Sequence, residues 1–259
     1  MVGKLSKKIA AFITASLLAL LMTGCVDWLV AGLLEAGGDI ISVKAEADAE
    51  YDSYAVTIKS LAFISGKDVT LEVRPSNGPA QVEVQCAQDL VSRYGLVIEI
   101  SGDEITIHSD VLKPMRTDKL NITIHGTCRS IDIDGGYEVD IDASGVQNFS
   151  LNANGALQGK VYGLNTEQTK CSIDGAADIQ FEGASRLFSG VINGAGQLDS
   201  KELDAQDVTL VINGAGAATL ASPLALDATI NGAGSIGYHG DPQPLKRQVN
   251  GAGSIERLD

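Results

Sequence analysis

The stretch VINGAGQLD at residues 191–199 returns as VINGAGAATL at 211–220, as ATINGAGSIGYHGDP at 228–242 and as QVNGAGSIERLD at 248–259. Its centre, Asn-Gly-Ala-Gly, begins at Asn193, Asn213, Asn231 and Asn250, and fainter copies carry the same column back through Asp174 and Asn154 to Asp134. The steps between these anchors are 20, 20, 19, 20, 18 and 19 residues. A fixed period of this length is the mark of a stacked repeat, not of a single binding loop.

The residue before each anchor is apolar: Ile133, Ala153, Ile173, Ile192, Ile212, Ile230 and Val249. Five residues after the anchor come Val139, Gly159, Ile179, Leu198, Ala218, Ile236 and Ile255, apolar except at Gly159. Stepping back by twos gives Ile212, Leu210 and Val208 in one unit and Ile230, Ala228, Leu226 and Leu224 in the next. Period two means a strand with one buried face. Equivalent apolar residues once per repeat are what stacked coils need, because each coil buries its inward row against its neighbours. The pattern predicts an all-β parallel solenoid with coils of about 20 residues.

Asn-Gly flanked by apolar residues is also a hairpin signal. A two-residue hairpin returns directly into a strand, whereas here Gly-Ala-Gly follows the anchor in four units. The glycines therefore read as corners at positive φ, where a Cβ is penalised. Stacked corners place the Asn side chains about 4.8 Å apart, close enough to form a hydrogen-bonded ladder. Asn154 keeps Asp134 and Asp174 from sitting on adjacent rungs. Gly232, Gly234 and Gly237 also spell G-x-G-x-x-G, but a dinucleotide site needs a helix after the glycines, and YHGDPQP at 238–244 cannot continue as one.

These units resemble the bacterial "putative auto-transporter adhesin, head GIN domain" family over about residues 45–259. The resemblance implies a right-handed parallel β-helix and, for many members, export. The word adhesin in that name is itself based on similarity, so the resemblance supports the fold more than the function.

The first 24 residues read as an export signal, with Lys4, Lys7 and Lys8 ahead of an apolar run from Ile9 to Met22. That run is shorter than the roughly 20 residues of a membrane span. LLMTGC at 20–25 resembles the lipobox of bacterial lipoproteins, which implies cleavage after Gly24 and lipid on Cys25. Met22 departs from the leucine usual at that position. An ordinary cleaved signal beside a coincidental cysteine is the alternative. Val26 follows the cysteine in place of the aspartate that retains many enterobacterial lipoproteins at the inner membrane, which favours the outer membrane. Residues 25–44 then form an anchored segment or cap, with Trp28, Leu29, Leu33 and Leu34 able to make a short apolar helical turn that protects the first strand edge. Residues 45–259 form one β-helix domain, regular over 131–259 and blurred over 51–128. At about 4.8 Å per coil, ten or eleven coils would span about 50 Å.

The net charge of −14 becomes −17 once Lys4, Lys7 and Lys8 are removed. Such a surface repels phosphate backbones, so nucleic acid is excluded as a partner. Aromatics make up 5% of the chain, which argues against ring-lined ligand pockets. With Cys25 lipidated, Cys86, Cys128 and Cys171 remain, an odd number that leaves at least one thiol unpaired. A Cys86–Cys128 disulfide is open in an oxidising compartment but is not favoured.

Catalytic signals are sparse. Of the three histidines, His108, His125 and His239, only His125 lies near a cysteine, Cys128, and no orienting third group is evident. Cys171 shares the inward parity of Ile173 and reads as a buried thiol. DIDGGYEVDID at 132–142 is acidic but lacks the spacing of calcium loops, and nothing matches a zinc site. β-Helical polysaccharide lyases need acidic and basic residues on neighbouring coils, and no such row is read here. No catalytic residue, metal or cofactor is expected. The reading is a non-enzymatic envelope lipoprotein, membrane-held through Cys25, with an adhesin-like face for polysaccharide or envelope protein. A lyase-like enzyme and an envelope-stress sensor are the alternatives, and the oligomeric state is open.

Overall fold

A computed structural model describes residues 34–36, 39–59, 64–65, 68–109, 115–117 and 119–258. Among them the regular elements are strands, with a single five-residue helix, Gln88–Ser92. From Asn148 to Gly214 strand structure continues for 67 residues, bent at positive-φ glycines such as Gly155, Gly175 and Gly194. Ala217–Leu220, Ala225–Gly232, Ser235–Tyr238, Leu245–Gly251 and Ser254–Arg257 continue it.

These strands pair in parallel with partners one repeat away. Ile131 and Ile133 lie opposite Leu151 and Ala153. Val208, Leu210 and Ile212 lie opposite Leu226, Ala228 and Ile230, and Ile230 lies opposite Val249. A hairpin would have run antiparallel, so Asn-Gly is not a hairpin turn here. Ile173, Ile192, Ile212 and Ile230 are fully buried, and each apolar Å² removed from water contributes about 25 cal/mol. Two expected inward residues depart from this. Leu224 is 65% exposed because the strand begins only at Ala225, after Pro223. Val249 is 40% exposed, on the outermost described rung.

The corner glycines divide into two kinds. The first of each unit has positive φ, +145° at Gly194 and +144° at Gly214. A Cβ on Gly214 would also fall onto the carbonyl oxygen of Gly194, far inside any real contact. The second does not adopt positive φ, which corrects the expectation that both do. Its requirement is space: a Cβ on Gly234 would lie 2.7 Å from Gly216 O and 2.9 Å from Ile212 Cγ2.

Toward the N-terminus the simple stack gives way. Strand Asp68–Arg74 pairs in parallel with Lys119–His125 on one side and with residues 138–141 on the other. Tyr54–Lys59 likewise lies between Glu104–Ser109 and residues 130–133. The later segment therefore lies outside the earlier one, and stack order differs from chain order. Three antiparallel pairings cover its outer edge: Gln81–Ala87 on Lys119–His125, Ile40–Glu46 on Gln81–Ala87, and Leu96–Ser101 on Glu104–Ser109. The expected run of ten or eleven like coils thus does not extend over this part. The antiparallel strands occupy an edge that would otherwise be open to pairing. Of the residues expected to form an N-terminal cap, Trp28, Leu29 and Leu33 lie outside the described residues, and Leu34 opens strand Leu34–Ala36, paired in parallel with Met115–Thr117, in place of a helical turn.

Candidate functional site

Strand Cys128–Asp142 buries Tyr137, Val139 and Ile141, so the pleat turns Glu138, Asp140 and Asp142 outward. On one side Thr70 and Glu72 lie opposite Glu138 and Asp140. On the other, Glu138 faces Gln158, Asp140 faces Lys160 and Asp142 faces Tyr162. Asp178 and Gln180 lie one repeat further on. Two polar rows result, Thr70–Glu138–Gln158–Asp178 and Glu72–Asp140–Lys160–Gln180, and they line a groove of about 450 Å³. Gly159, the exception in the inward column, lies in the groove lining between them. Its φ is +137°, and a Cβ there would run into the backbone of Val139.

Charge in the groove is arranged around Asp140. Arg74 Nη1 donates to Asp140 Oδ1 at 2.8 Å and to its carbonyl oxygen at 2.9 Å, while Arg74 Nη2 lies 3.4 Å from Glu72 Oε2. Lys160 Nζ lies 3.9 Å from Asp140 Oδ2 and 4.7 Å from the centre of the Tyr162 ring. Burial raises the Tyr162 phenol above its usual value; Arg74 opposes this and Asp140 and Asp142 add to it, so the hydroxyl stays a donor. Both nearby cations are thus engaged by Asp140. Glu138 and Asp178 have no ion-pair partner among the described residues.

Cys25 and the rest of the lipobox lie outside the described residues. Gly232, Gly234 and Gly237 fall between and within strands Ala225–Gly232 and Ser235–Tyr238, with no helix following. The acidic stretch 132–142 is divided: Asp132 and Asp134 accept hydrogen bonds from Asn152 and Asn154 at 2.5 and 3.4 Å, and Asp140 belongs to the groove. Among the described residues no three His, Cys, Asp or Glu side chains converge to hold a metal ion. His125 is exposed and Cys128 buried, so the two do not form a nucleophile pair. The Cys128 thiol donates to Gly126 O at 3.5 Å. Cys86, Cys128 and Cys171 are all free.

One expectation is overturned. Acidic and basic residues do share a row on adjacent rungs, Glu72, Asp140 and Lys160, with Arg74 beside them. Three of the four members of this row were readable in the repeat, since Asp140, Lys160 and Gln180 lie six residues past their anchors. The fourth, Glu72, comes from the changed stack order.

No curated protein matches the chain. The structure of a putative adhesin from Bacteroides fragilis superposes with a TM-score of 0.72 at 19% identity, over 87% of this chain and 100% of that one. A putative lipid binding protein from Parabacteroides distasonis gives 0.63 at 18% identity, and a putative adhesin from Parabacteroides merdae gives 0.60 at 20%, each over 88% of this chain and 100% of its own. At such identities the likeness is one of fold. The family model described as "Putative auto-transporter adhesin, head GIN domain" matches residues 62–242, and the chain belongs to that family.

Proposed function

We propose that this protein is a non-enzymatic, adhesin-like component of the bacterial cell envelope, held by lipid on Cys25 and presenting the face of a right-handed parallel β-helix. In this reading residues 1–24 are removed as a signal, and residues 25–44 lead from the lipid into the body that runs from 45 to 259. The outer membrane is its site. The lipobox-like LLMTGC supports the anchor, since the two or more acyl chains of that pathway hold a protein where one would not. Parallel pairing at offsets of 18–20 residues supports the coils. The observation that carries the function is the family match over residues 62–242. It fits a strand-built face in which side chains repeat at fixed spacing, a surface suited to contacting an extended partner.

Metabolic lipid labelling and protease shaving of intact cells test this. The expected result is a labelled, membrane-held protein that external protease digests, with label and membrane retention both lost in Cys25→Ala. Retention unchanged in that variant overturns the anchor. Protection until the outer membrane is permeabilised overturns surface adhesion in favour of a periplasmic role with envelope partners.

One observation favours a second reading. Lys160 beside Asp140 places a cationic residue next to carboxylates on neighbouring rungs, and a polysaccharide lyase would need that lysine to lose its proton before it could accept one from the sugar. Accumulation of unsaturated sugar ends, abolished by Lys160→Ala, would establish it in place of the non-enzymatic reading.

A further inference from the structure

We infer that the groove between Glu138, Gln158 and Asp178 binds a glycan chain free of acidic groups, neutral or bearing amino sugars, laid across the rungs. The inference rests on the reading of this protein as an adhesin-like binding module and gives that module a site and a ligand class.

Hydrogen-bonding capacity points to this ligand. Across rungs about 4.8 Å apart, Thr70, Glu138, Gln158 and Asp178 present hydroxyl, carboxylate, amide and carboxylate in turn. Carboxylates only accept, hydroxyls and amides both donate and accept, and a sugar hydroxyl needs both kinds of partner. The spacing suits a ligand that repeats along its length, each sugar meeting one rung. Between the two rows the floor is the backbone of Val139 and Gly159, whose column points inward, so a ring can approach it.

Charge narrows the class. Arg74 and Lys160 are already engaged by Asp140, whereas Glu138 and Asp178 are not neutralised. A uronate or sulfate entering here would meet like charge with no free cation among the described lining residues to compensate it. An ammonium group on an amino sugar would find two carboxylates. An apolar ligand would find polar rows on both sides. The second row is held in place by the Arg74–Asp140–Lys160 contacts, so part of the ordering cost is met before a ligand arrives.

The test is calorimetric titration of the full-length protein, in detergent micelles, with glucosamine oligosaccharides, neutral β-linked glucose oligosaccharides and galacturonate oligosaccharides. Saturable binding of either of the first two and none of the third is expected. Gln158→Ala and Asp178→Ala should each weaken binding about ten-fold, the equivalent of one lost hydrogen bond to or beside a charge. Both positions are exposed, so circular dichroism should be unchanged, and Glu202→Ala outside the groove should bind as the wild type does. Galacturonate binding as tight as the others, absence of binding to all three, or full affinity in both groove variants overturns the inference. Membrane retention and protease shaving read the adhesin-like role separately, so a failure here with those results intact removes the groove alone.

Discussion

Asn193 donates to Asp174 across 2.6 Å, and at Asp174 the ladder stops, because a carboxylate has no proton to pass on to Asn154. The ladder has a direction. Asn213, Asn231 and Asn250 each donate through Nδ2 to the Oδ1 of the preceding rung, at 2.7, 2.7 and 2.8 Å. Aspartate can therefore begin a ladder, as Asp134 does below Asn154, but cannot continue one.

Replacing Asp174 by Asn should join the two segments by one new hydrogen bond. The expected gain is about 0.5–1 kcal/mol, read as a higher urea midpoint with unchanged slope. Asn213→Asp should do the reverse, keeping the bond accepted from Asn231 and losing the one donated to Asn193. Equal midpoints for wild type and Asn213→Asp would remove the ladder from the account of stability.

Two glycines with positive φ should respond differently to alanine. Gly78, at φ +96°, has nothing within 4 Å of its would-be Cβ, so Gly78→Ala meets backbone strain alone, about 1–2 kcal/mol. Gly214 adds the collision with Gly194 O. Removing that collision would require the rungs to separate, so Gly214→Ala should cost about 4 kcal/mol or more or leave no folded protein. Soluble yield and the denaturation midpoint distinguish the two.

The parts of the fold that recur were legible, and those that occur once were not. Ile192, Ile212 and Ile230 repeat because each fills the same inward position, and Asn213 and Asn231 repeat because each satisfies the next. Glu138, Gln158 and Asp178 stand four residues past successive anchors, so this row of the groove was present in the same alignment. It passes unnoticed when apolar periodicity leads, because outward positions face water and are free to differ. Glu72 and Arg74 could not have been placed there. Their strand lies between Lys119–His125 and residues 138–141, and no local pattern records that exchange of order.

The three described thiols should be inert in the folded protein. Burial pushes Cys86 up to about 11 and Cys128 and Cys171 up to about 12, which leaves almost no thiolate near neutral pH. Alkylation of the native protein followed by peptide mass mapping should find these positions unmodified, and prior denaturation should expose all three. Labelling of Cys128 in the native state would contradict its burial on the inward face.

Acid should loosen the outermost N-terminal strand first. Strand Ile40–Glu46 lies directly opposite Gln81–Ala87, with Lys44 facing Glu83. Lys44 Nζ lies 2.9 Å from Glu83 Oε2, and Ser42 Oγ donates to Glu83 Oε1 at 2.8 Å. The hydrogen bond from Lys44, followed by those from Ser42 and Gln85, pulls the Glu83 carboxyl down to about 2. A carboxyl depressed on folding contributes stability that is complete above its unfolded value, about 4.3, and declines as pH falls through the folded one. The window of loss therefore runs from roughly pH 4 to pH 2. These groups are largely solvated, so the contribution should stay within about 1 kcal/mol. Amide exchange in residues 40–46 should speed up across that window relative to the rungs beyond Asn148. Glu83→Gln should show the faster exchange already at pH 6, with little further change on acidification. Identical exchange in wild type and variant at pH 6 would show that backbone pairing alone holds strand Ile40–Glu46.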